Sequence, residues 1–121
     1  MVNALVIDDN RSTADSLVRV LKALGIQARP AYGPGPAMAI LRVETPQVIF
    51  LDINMPGVSG LEILKYVSRE PRLEKVPVLV CTSDDQPQTR TQAFQGGAKD
   101  FLVKPVTVDA LEQALIKLKL I

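Results

Sequence analysis

Four short apolar segments of this chain end in polar residues, and stretches with helical spacing separate them. The segments cover residues 5–7, 48–51, 78–81 and 101–103. Apolar runs of this length, bounded by turn residues, are typical of strands that a parallel sheet buries on both faces. Because the carboxyl ends of parallel strands meet at one edge of the sheet, we expect the polar residues that follow them to lie together.

The residues that follow these segments are the candidate functional site. They are Asp8 and Asp9, Asp52, Thr82 and Lys104. An ionised carboxylate at the tip of an interior strand is costly to desolvate unless a cation or a reaction requires it there. Asp52 is the strongest candidate, because it stands between a fully apolar run and a turn sequence, NMPG.

Length and charge limit what the chain can be. Its 121 residues fit one domain, predicted to span residues 1–121, that needs neither disulfides nor a structural metal. The net charge is +1, so no overall charge draws the protein to nucleic acid or an anionic membrane. No apolar stretch approaches the roughly 18 residues that span a bilayer, and no signal sequence is evident.

The absence of histidine and the presence of a single cysteine further limit the possible functions. Histidine is absent, which excludes a hydrolase triad of the usual form and places any phosphohistidine on a partner. The single cysteine, Cys81, lies within an apolar strand and is expected to pack as a small hydrophobe. An intramolecular disulfide is therefore excluded, and a reducing compartment, the cytoplasm, is expected.

Helical patterns complete five strand–helix units. Pro30 lies in a further short strand near residues 26–31 and cannot donate to a sheet ladder, so this strand is expected at the sheet edge. The predicted helices span residues 11–24, about 36–43, a stretch capped by Ser59 and closed by Pro71, residues 84–97, and a last stretch capped by Thr107. The pattern predicts a single alternating α/β domain with helices on both faces of the sheet.

Four motifs in chain order resemble the receiver domain of two-component response regulators, the CheY-like superfamily. They are Asp8-Asp9, the stretch from Asp52 through Met55-Pro56-Gly57 to Gly60, Thr82, and Lys104-Pro105. The resemblance covers the whole chain. It implies a flavodoxin-like (βα)5 fold, a three-layer sandwich with strand order 2-1-3-4-5, and this order agrees with the edge position indicated by Pro30.

The resemblance also implies roles for the candidate residues. Asp52 would be the phosphoacceptor, and Asp8, Asp9, Asp52 and the backbone carbonyl of Asn54 would hold Mg²⁺. Lys104 and Thr82 would contact phosphoryl oxygens. The Lys104–Pro105 bond is expected to be cis.

The remaining implied roles concern the conformational switch and the lifetime of the phosphoryl group on Asp52. Phe101 stands at the switch-aromatic position and would move inward as Thr82 is drawn toward the phosphoryl group. Asn54 and Asp84 match positions that tune dephosphorylation. Ser83 replaces the usual alanine or glycine, which is expected to narrow access to Asp52.

The implied function is a phosphorylation switch. The domain would accept a phosphoryl group from a histidine kinase or a histidine phosphotransfer protein, and would catalyse only its own phosphorylation and dephosphorylation. Its fourth helix, fifth strand and fifth helix would then act on a downstream protein or on an effector domain outside this sequence. We expect a monomer or a phosphorylation-promoted dimer that binds neither nucleic acid nor membrane.

Two alternatives stay open from the sequence. A magnesium-dependent phosphohydrolase with an aspartyl-phosphate intermediate would carry a second aspartate two residues after the nucleophile, where this chain has Asn54. A receiver-like module that acts without phosphorylation would not need the full set of site residues.

Overall fold

Strands and helices alternate along the whole chain. The computed structural model describes residues 2–121, and Met1, the first residue of the predicted domain, lies outside the described residues. The elements are β1 Asn3–Ile7, α1 Arg11–Ala23, β2 Gln27–Ala31, α2 Pro34–Leu41, β3 Val48–Leu51, α3 Gly60–Arg69, β4 Val78–Thr82, α4 Pro87–Gln95, β5 Asp100–Val103 and α5 Val108–Lys117.

The five strands form one parallel sheet with the order β2-β1-β3-β4-β5. This is the order that the resemblance implied. Strand β2 lies at an edge, as predicted, and Pro30 pairs there with Val6 of β1. An edge strand tolerates proline because one side of it makes no ladder bonds.

Helices cover both faces of the sheet, because alternate strand residues enter two separate cores. Leu5 and Ile7 of β1 face a core formed with α2, α3 and α4, whereas Ala4 and Val6 face a core formed with α1 and α5. All four residues of β3 are buried. The carboxyl edge of the sheet is therefore supported from both sides.

Side-chain caps begin three of the helices where the backbone N–H groups lack partners. Asn10 accepts a hydrogen bond from the Thr13 N–H at 3.0 Å and begins α1. Ser59 caps α3 and Thr107 caps α5, each by accepting from a backbone N–H two or three residues later, and both caps were predicted.

Helix α2 lies two residues earlier than predicted. Gly33 adopts a positive φ of 116°, which turns the chain so that Pro34, and not Pro36, occupies the first helical position. The helix ends at Leu41, where the Arg72 guanidinium donates to the carbonyl oxygens of Leu41 and Glu44. A side chain distant in the sequence therefore sets this end.

Helix α4 is shorter than the predicted 84–97. The Asp84 carboxylate accepts hydrogen bonds from the Gln86 N–H at 3.0 Å and from the Thr89 hydroxyl at 2.9 Å, so a side-chain turn precedes the helix. Pro87 then occupies the first turn. Within residues 2–121, no helix combines the length and the apolar character needed to cross a membrane.

Candidate functional site

Every polar residue that the sequence placed after one of the four apolar segments lies at the carboxyl edge of the sheet. Asp8 and Asp9 follow β1, Asp52 follows β3, Thr82 ends β4, and Lys104 follows β5. Asp8, Asp9 and Asp52 each place a carboxylate oxygen within 4.8 Å of the other two. The structure therefore brings together residues that are up to 96 positions apart in the sequence.

The Lys104 ammonium group lies between two of these carboxylates. It is 2.6 Å from Oδ2 of Asp8 and 3.4 Å from Oδ2 of Asp52. The Lys104 backbone N–H donates to the carbonyl oxygen of Thr82 at 2.8 Å, and the peptide bond to Pro105 is cis, as the resemblance implied. One cation is thus shared by two acids, and the closer contact is to Asp8.

Burial shifts the acid–base properties of this group. Asp52 is 7% exposed and Asp8 3%, whereas Asp9 is exposed. Burial raises the pKa of Asp52 above its ordinary value, and the positive charge of Lys104 opposes that rise without cancelling it. Burial alone would lower the pKa of Lys104, but its hydrogen bond to Asp8 and the charge of Asp52 outweigh burial and raise it.

The turn after β3 is folded tightly against Asp52. The Asn54 N–H donates to Oδ1 of Asp52 at 3.3 Å, and the Gly60 N–H donates to the carbonyl oxygen of Ile53 at 2.8 Å. A Cβ atom at Gly60 would lie 2.2 Å from the carbonyl oxygen of Asp52. Only glycine therefore allows the start of α3 to approach the candidate nucleophile this closely.

Thr82 connects the site to the start of α4. Its side chain is fully buried, and its hydroxyl oxygen accepts a hydrogen bond from the Asp84 N–H at 3.2 Å. Ser83 and Asn54 are exposed on either side of the site, and Asp84 is partly buried. These three residues stand at the rim, where the resemblance implied a tuning role.

Phe101 is 5% exposed and belongs to the core beneath α2, α3 and α4. The Arg90 guanidinium lies over its ring. Arg90 is not among the residues predicted from the sequence, and the one sequence signal for it is its spacing of four residues from Phe94 on the same helix.

A recess of about 460 Å³ extends from the site along α1. Asp52 and Lys104 are among its lining residues, and Leu17, Val106 and Leu111 contribute to its apolar lining. Cys81 also borders it, and burial raises the pKa of this thiol to about 12, which agrees with its predicted role as a small hydrophobe.

The chemistry of the donor set limits the metal that could be held. Asp8, Asp9 and Asp52 supply only carboxylate oxygens, and the chain has no histidine. Hard oxygen donors suit Mg²⁺ or Ca²⁺ and disfavour softer metals that prefer nitrogen or sulfur. The acidic group fits a hard divalent cation.

Comparisons with a family model and with curated proteins point to the same family. The family model described as response regulator receiver domain matches residues 4–116. Protein PilH of Pseudomonas aeruginosa is 31% identical over 111 residues, which cover 92% of this chain and 92% of that protein. Other curated relatives are longer, and this chain spans only 16% of one, 22% of another and 49% of a third.

Solved structures share the fold. The chemotaxis protein CheY4 of Vibrio cholerae superposes with a TM-score of 0.89 at 27% identity, covering 97% of this chain and 98% of that one. A response regulator from Burkholderia pseudomallei, solved with a phosphorylated aspartic acid, a calcium ion and citrate, superposes with a TM-score of 0.86 at 30% identity. That match covers 95% of this chain and 66% of the other.

Proposed function

This chain belongs to the family of response regulator receiver domains, and on that premise we propose that Asp52 accepts a phosphoryl group in a magnesium-dependent reaction. The donor is a histidine kinase or a histidine phosphotransfer protein. The proposed domain spans residues 1–121. Receiver domains are signalling domains, and this one turns over no external substrate.

The observation that supports the proposal best is the arrangement around Asp52. Its carboxylate is buried at a strand end, beside two further carboxylates and 3.4 Å from an ammonium group. Surface ion pairs are common in proteins, but buried acids beside a shared lysine are typical of reactive sites. A nucleophile that attacks an anionic donor needs this balance of negative oxygen and nearby positive charge.

The proposed step forms one bond and breaks one. A carboxylate oxygen of Asp52 attacks the phosphorus atom of a partner's phosphohistidine, and an O–P bond forms as the P–N bond breaks. The electron pair of the broken bond stays on the imidazole nitrogen of the partner. The product is an aspartyl phosphate, and the partner supplies the histidine that this chain lacks.

Asp8, Asp9, Asp52 and the backbone carbonyl of Asn54 would hold Mg²⁺, which supplies positive charge against the phosphoryl oxygens. The three carboxylates alone would repel the anionic phosphoryl donor, and the positive charge of Lys104 offsets this repulsion. Its ammonium group pairs with a phosphoryl oxygen, while the Thr82 hydroxyl donates to another. Both side chains stabilise charge that spreads over the oxygens during transfer.

The signal then leaves the site through α4, β5 and α5. As the Thr82 hydroxyl is drawn to the phosphoryl group, Phe101 takes the inward position, which it already occupies in this structure. The altered face acts on a partner protein, a second copy of the domain, or an effector domain outside this sequence. Asn54, Ser83 and Asp84 at the rim set the access of water, and therefore the lifetime of the phosphoryl group.

We also place the domain in the cytoplasm. The support is chemical: its single cysteine, Cys81, is buried and free, as is usual in a reducing compartment.

Intact mass spectrometry after incubation with acetyl phosphate and Mg²⁺ tests the proposal. We expect one phosphoryl addition in the wild type, and none in Asp52→Asn or with excess chelator. Asp100→Asn is the matched control, because this acid lies on β5 away from the carboxylate cluster. No addition to a folded wild-type protein would favour a module that acts without phosphorylation, and steady turnover of small phosphate esters would favour the phosphohydrolase.

A further inference from the structure

The guanidinium group of Arg90 lies between two aromatic rings. Its central carbon is 5.2 Å from the ring centre of Phe94 and 5.6 Å from that of Phe101. Both distances fall within the range of attractive cation–π contacts. Phe94 is 39% exposed and Phe101 only 5%, so Arg90 lies at the boundary between the solvent and the buried ring.

The rings, and not an acid, hold this side chain in place. Among residues 2–121, the ion pairs join Arg29 to Glu44, Lys104 to two aspartates, and Lys117 to Asp100, and none includes Arg90. Arg90 is also the only charged residue of α4. An arginine without a carboxylate partner, stacked on a buried ring, acts chiefly on the position of that ring.

The helix that carries Arg90 is linked to the proposed reaction site. The Thr82 hydroxyl oxygen accepts from the Asp84 N–H, and the Asp84 carboxylate accepts from the hydroxyl of Thr89, the residue before Arg90. Rotation of the Thr82 hydroxyl toward a phosphoryl group would release the Asp84 N–H. The position of the first turn of α4, and with it of Arg90, therefore depends on the state of Thr82.

We propose that Arg90 is a positioning residue that holds the Phe101 ring in its buried position and couples that position to Thr82. The proposal deepens the regulation of the same site and rests on the proposed phosphorylation of Asp52. Because Arg90 favours the inward ring, it also favours the modified state that requires this ring position. Removal of the guanidinium lowers the inward-ring population, and the apparent affinity for the phosphoryl analogue falls in proportion to that population.

Fluorine NMR can measure the solvent exposure of the Phe101 ring, because the chain has only three phenylalanines and their signals can be assigned. Full-length protein is labelled with 4-fluorophenylalanine, and Phe94→Leu and Phe101→Leu assign the signals. The readout is the shift of the Phe101 signal between H2O and D2O, which grows with exposure of the ring. The phosphoryl analogue beryllofluoride, added with Mg²⁺, gives an apparent dissociation constant for the same samples.

Two substitutions of Arg90 separate the effect of its positive charge from the effect of its helix propensity. Arg90→Gln removes the cation while keeping a similar helix propensity, and Arg90→Lys keeps a cation. Arg19→Gln on α1 is the matched control at an exposed helical position. In Arg90→Gln we expect the exposed-ring population to rise about two- to fivefold, the range of one exposed cation–π contact. The beryllofluoride dissociation constant should rise by the factor by which the inward-ring population falls. Arg90→Lys should recover part of both effects.

Two results would overturn the inference. One is a Phe101 signal in Arg90→Gln that matches the wild type. The other is a more exposed ring with unchanged beryllofluoride affinity, because the contact would then be structural only. Failure of the proposed function appears elsewhere: the wild type itself would show neither beryllofluoride binding nor phosphoryl addition, whatever the Phe101 signal does in the variants.

Discussion

Lys104 lies closer to Asp8 than to Asp52. The ammonium nitrogen is 2.6 Å from the first carboxylate and 3.4 Å from the second. Asp8 therefore holds the lysine in place while an oxygen of Asp52 remains less tightly paired. This relationship fits a site in which Asp52 attacks and Lys104 receives the developing charge.

Removal of the lysine charge should affect both reaction and stability. Lys104→Gln should lower the rate of phosphorylation by acetyl phosphate about 10²–10³-fold, the usual loss for one preorganised donor to a transition-state oxygen. It should also lower the free energy of unfolding by about 1.5–3 kcal/mol, because Asp8 and Asp52 lose charged hydrogen bonds. Intact mass spectrometry on samples quenched at successive times measures the rate of phosphorylation, and urea unfolding measures the free energy of unfolding.

Lys99→Gln is the control for this substitution, since Lys99 is exposed and makes no side-chain hydrogen bond or ion pair among residues 2–121. A Lys104→Gln rate within threefold of the wild-type rate would contradict the proposed role of the lysine.

Asp52→Asn should stabilise the metal-free protein at pH 7. Burial raises the pKa of Asp52 in the folded state, so its ionised form is less stable in the folded protein than in the unfolded chain. This penalty is fully present above the raised folded pKa. It shrinks as the pH falls toward the ordinary value of 3.8. The stability gain of Asp52→Asn should therefore fade between pH 7 and pH 4.

Urea unfolding with a chelator at several pH values measures this gain. Asp85→Asn is the comparison, because Asp85 is exposed and makes no hydrogen bond among the described residues. A gain that does not change with pH would mean that ionisation of Asp52 is not its cause.

Magnesium should stabilise the folded protein through the acidic cluster. At a concentration ten times the dissociation constant, binding to the folded state alone adds about 1.4 kcal/mol to the free energy of unfolding. Asp9→Asn should remove most of this gain, because Asp9 is an exposed member of the cluster and a proposed ligand. Thermal unfolding with and without Mg²⁺, at matched ionic strength, measures the gain; equal stabilisation of both proteins would count against the site.

Gly60→Ala should destabilise the domain and slow phosphorylation. The added methyl group would meet the Asp52 carbonyl oxygen at 2.2 Å, so the backbone of the turn must move. We expect a loss of about 3 kcal/mol, the upper range for overpacking. A displaced Asp52 should also react about 10²-fold more slowly.

Gly35→Ala is the matched glycine control. Apart from its two chain neighbours, a Cβ atom at Gly35 meets nothing within 4 Å, and the residue lies in α2 directly before Pro36. A Cβ before proline is disfavoured in helical conformation, which offsets the usual gain from alanine in a helix. This variant should lose clearly less stability than Gly60→Ala. Equal destabilisation by the two substitutions would show that close packing at Gly60 does not matter.

The sequence predicted the features that depend on local pattern. Apolar runs located β1, β3 and β4 as interior strands, Pro30 placed β2 at the edge, and Ser59 and Thr107 marked helix starts. The prediction that residues 101–103 form a strand buried on both faces was wrong, because β5 lies at the other edge of the sheet and Val103 is exposed. The meeting of the five site residues followed from the parallel arrangement, because this rule needs only the order of elements. Their chemical roles remain predictions.

Features that depend on distant side chains were not predictable. The end of α2 is set by Arg72, which comes from the segment after α3. The preference of Lys104 for Asp8 depends on sub-ångström geometry across the sheet edge. The start of α4 was misplaced because the Asp84 side chain forms a turn there that competes with the helix.

The central claim is that Asp52, and neither of its two acidic neighbours, forms the aspartyl phosphate. Protein treated with acetyl phosphate and Mg²⁺ can be reduced with borohydride, which converts a phosphorylated aspartate to homoserine, and then sequenced by tandem mass spectrometry. We expect homoserine at residue 52 alone, and none when Mg²⁺ is withheld. Homoserine at residue 8 or 9, or at no residue of a folded protein, would contradict the account.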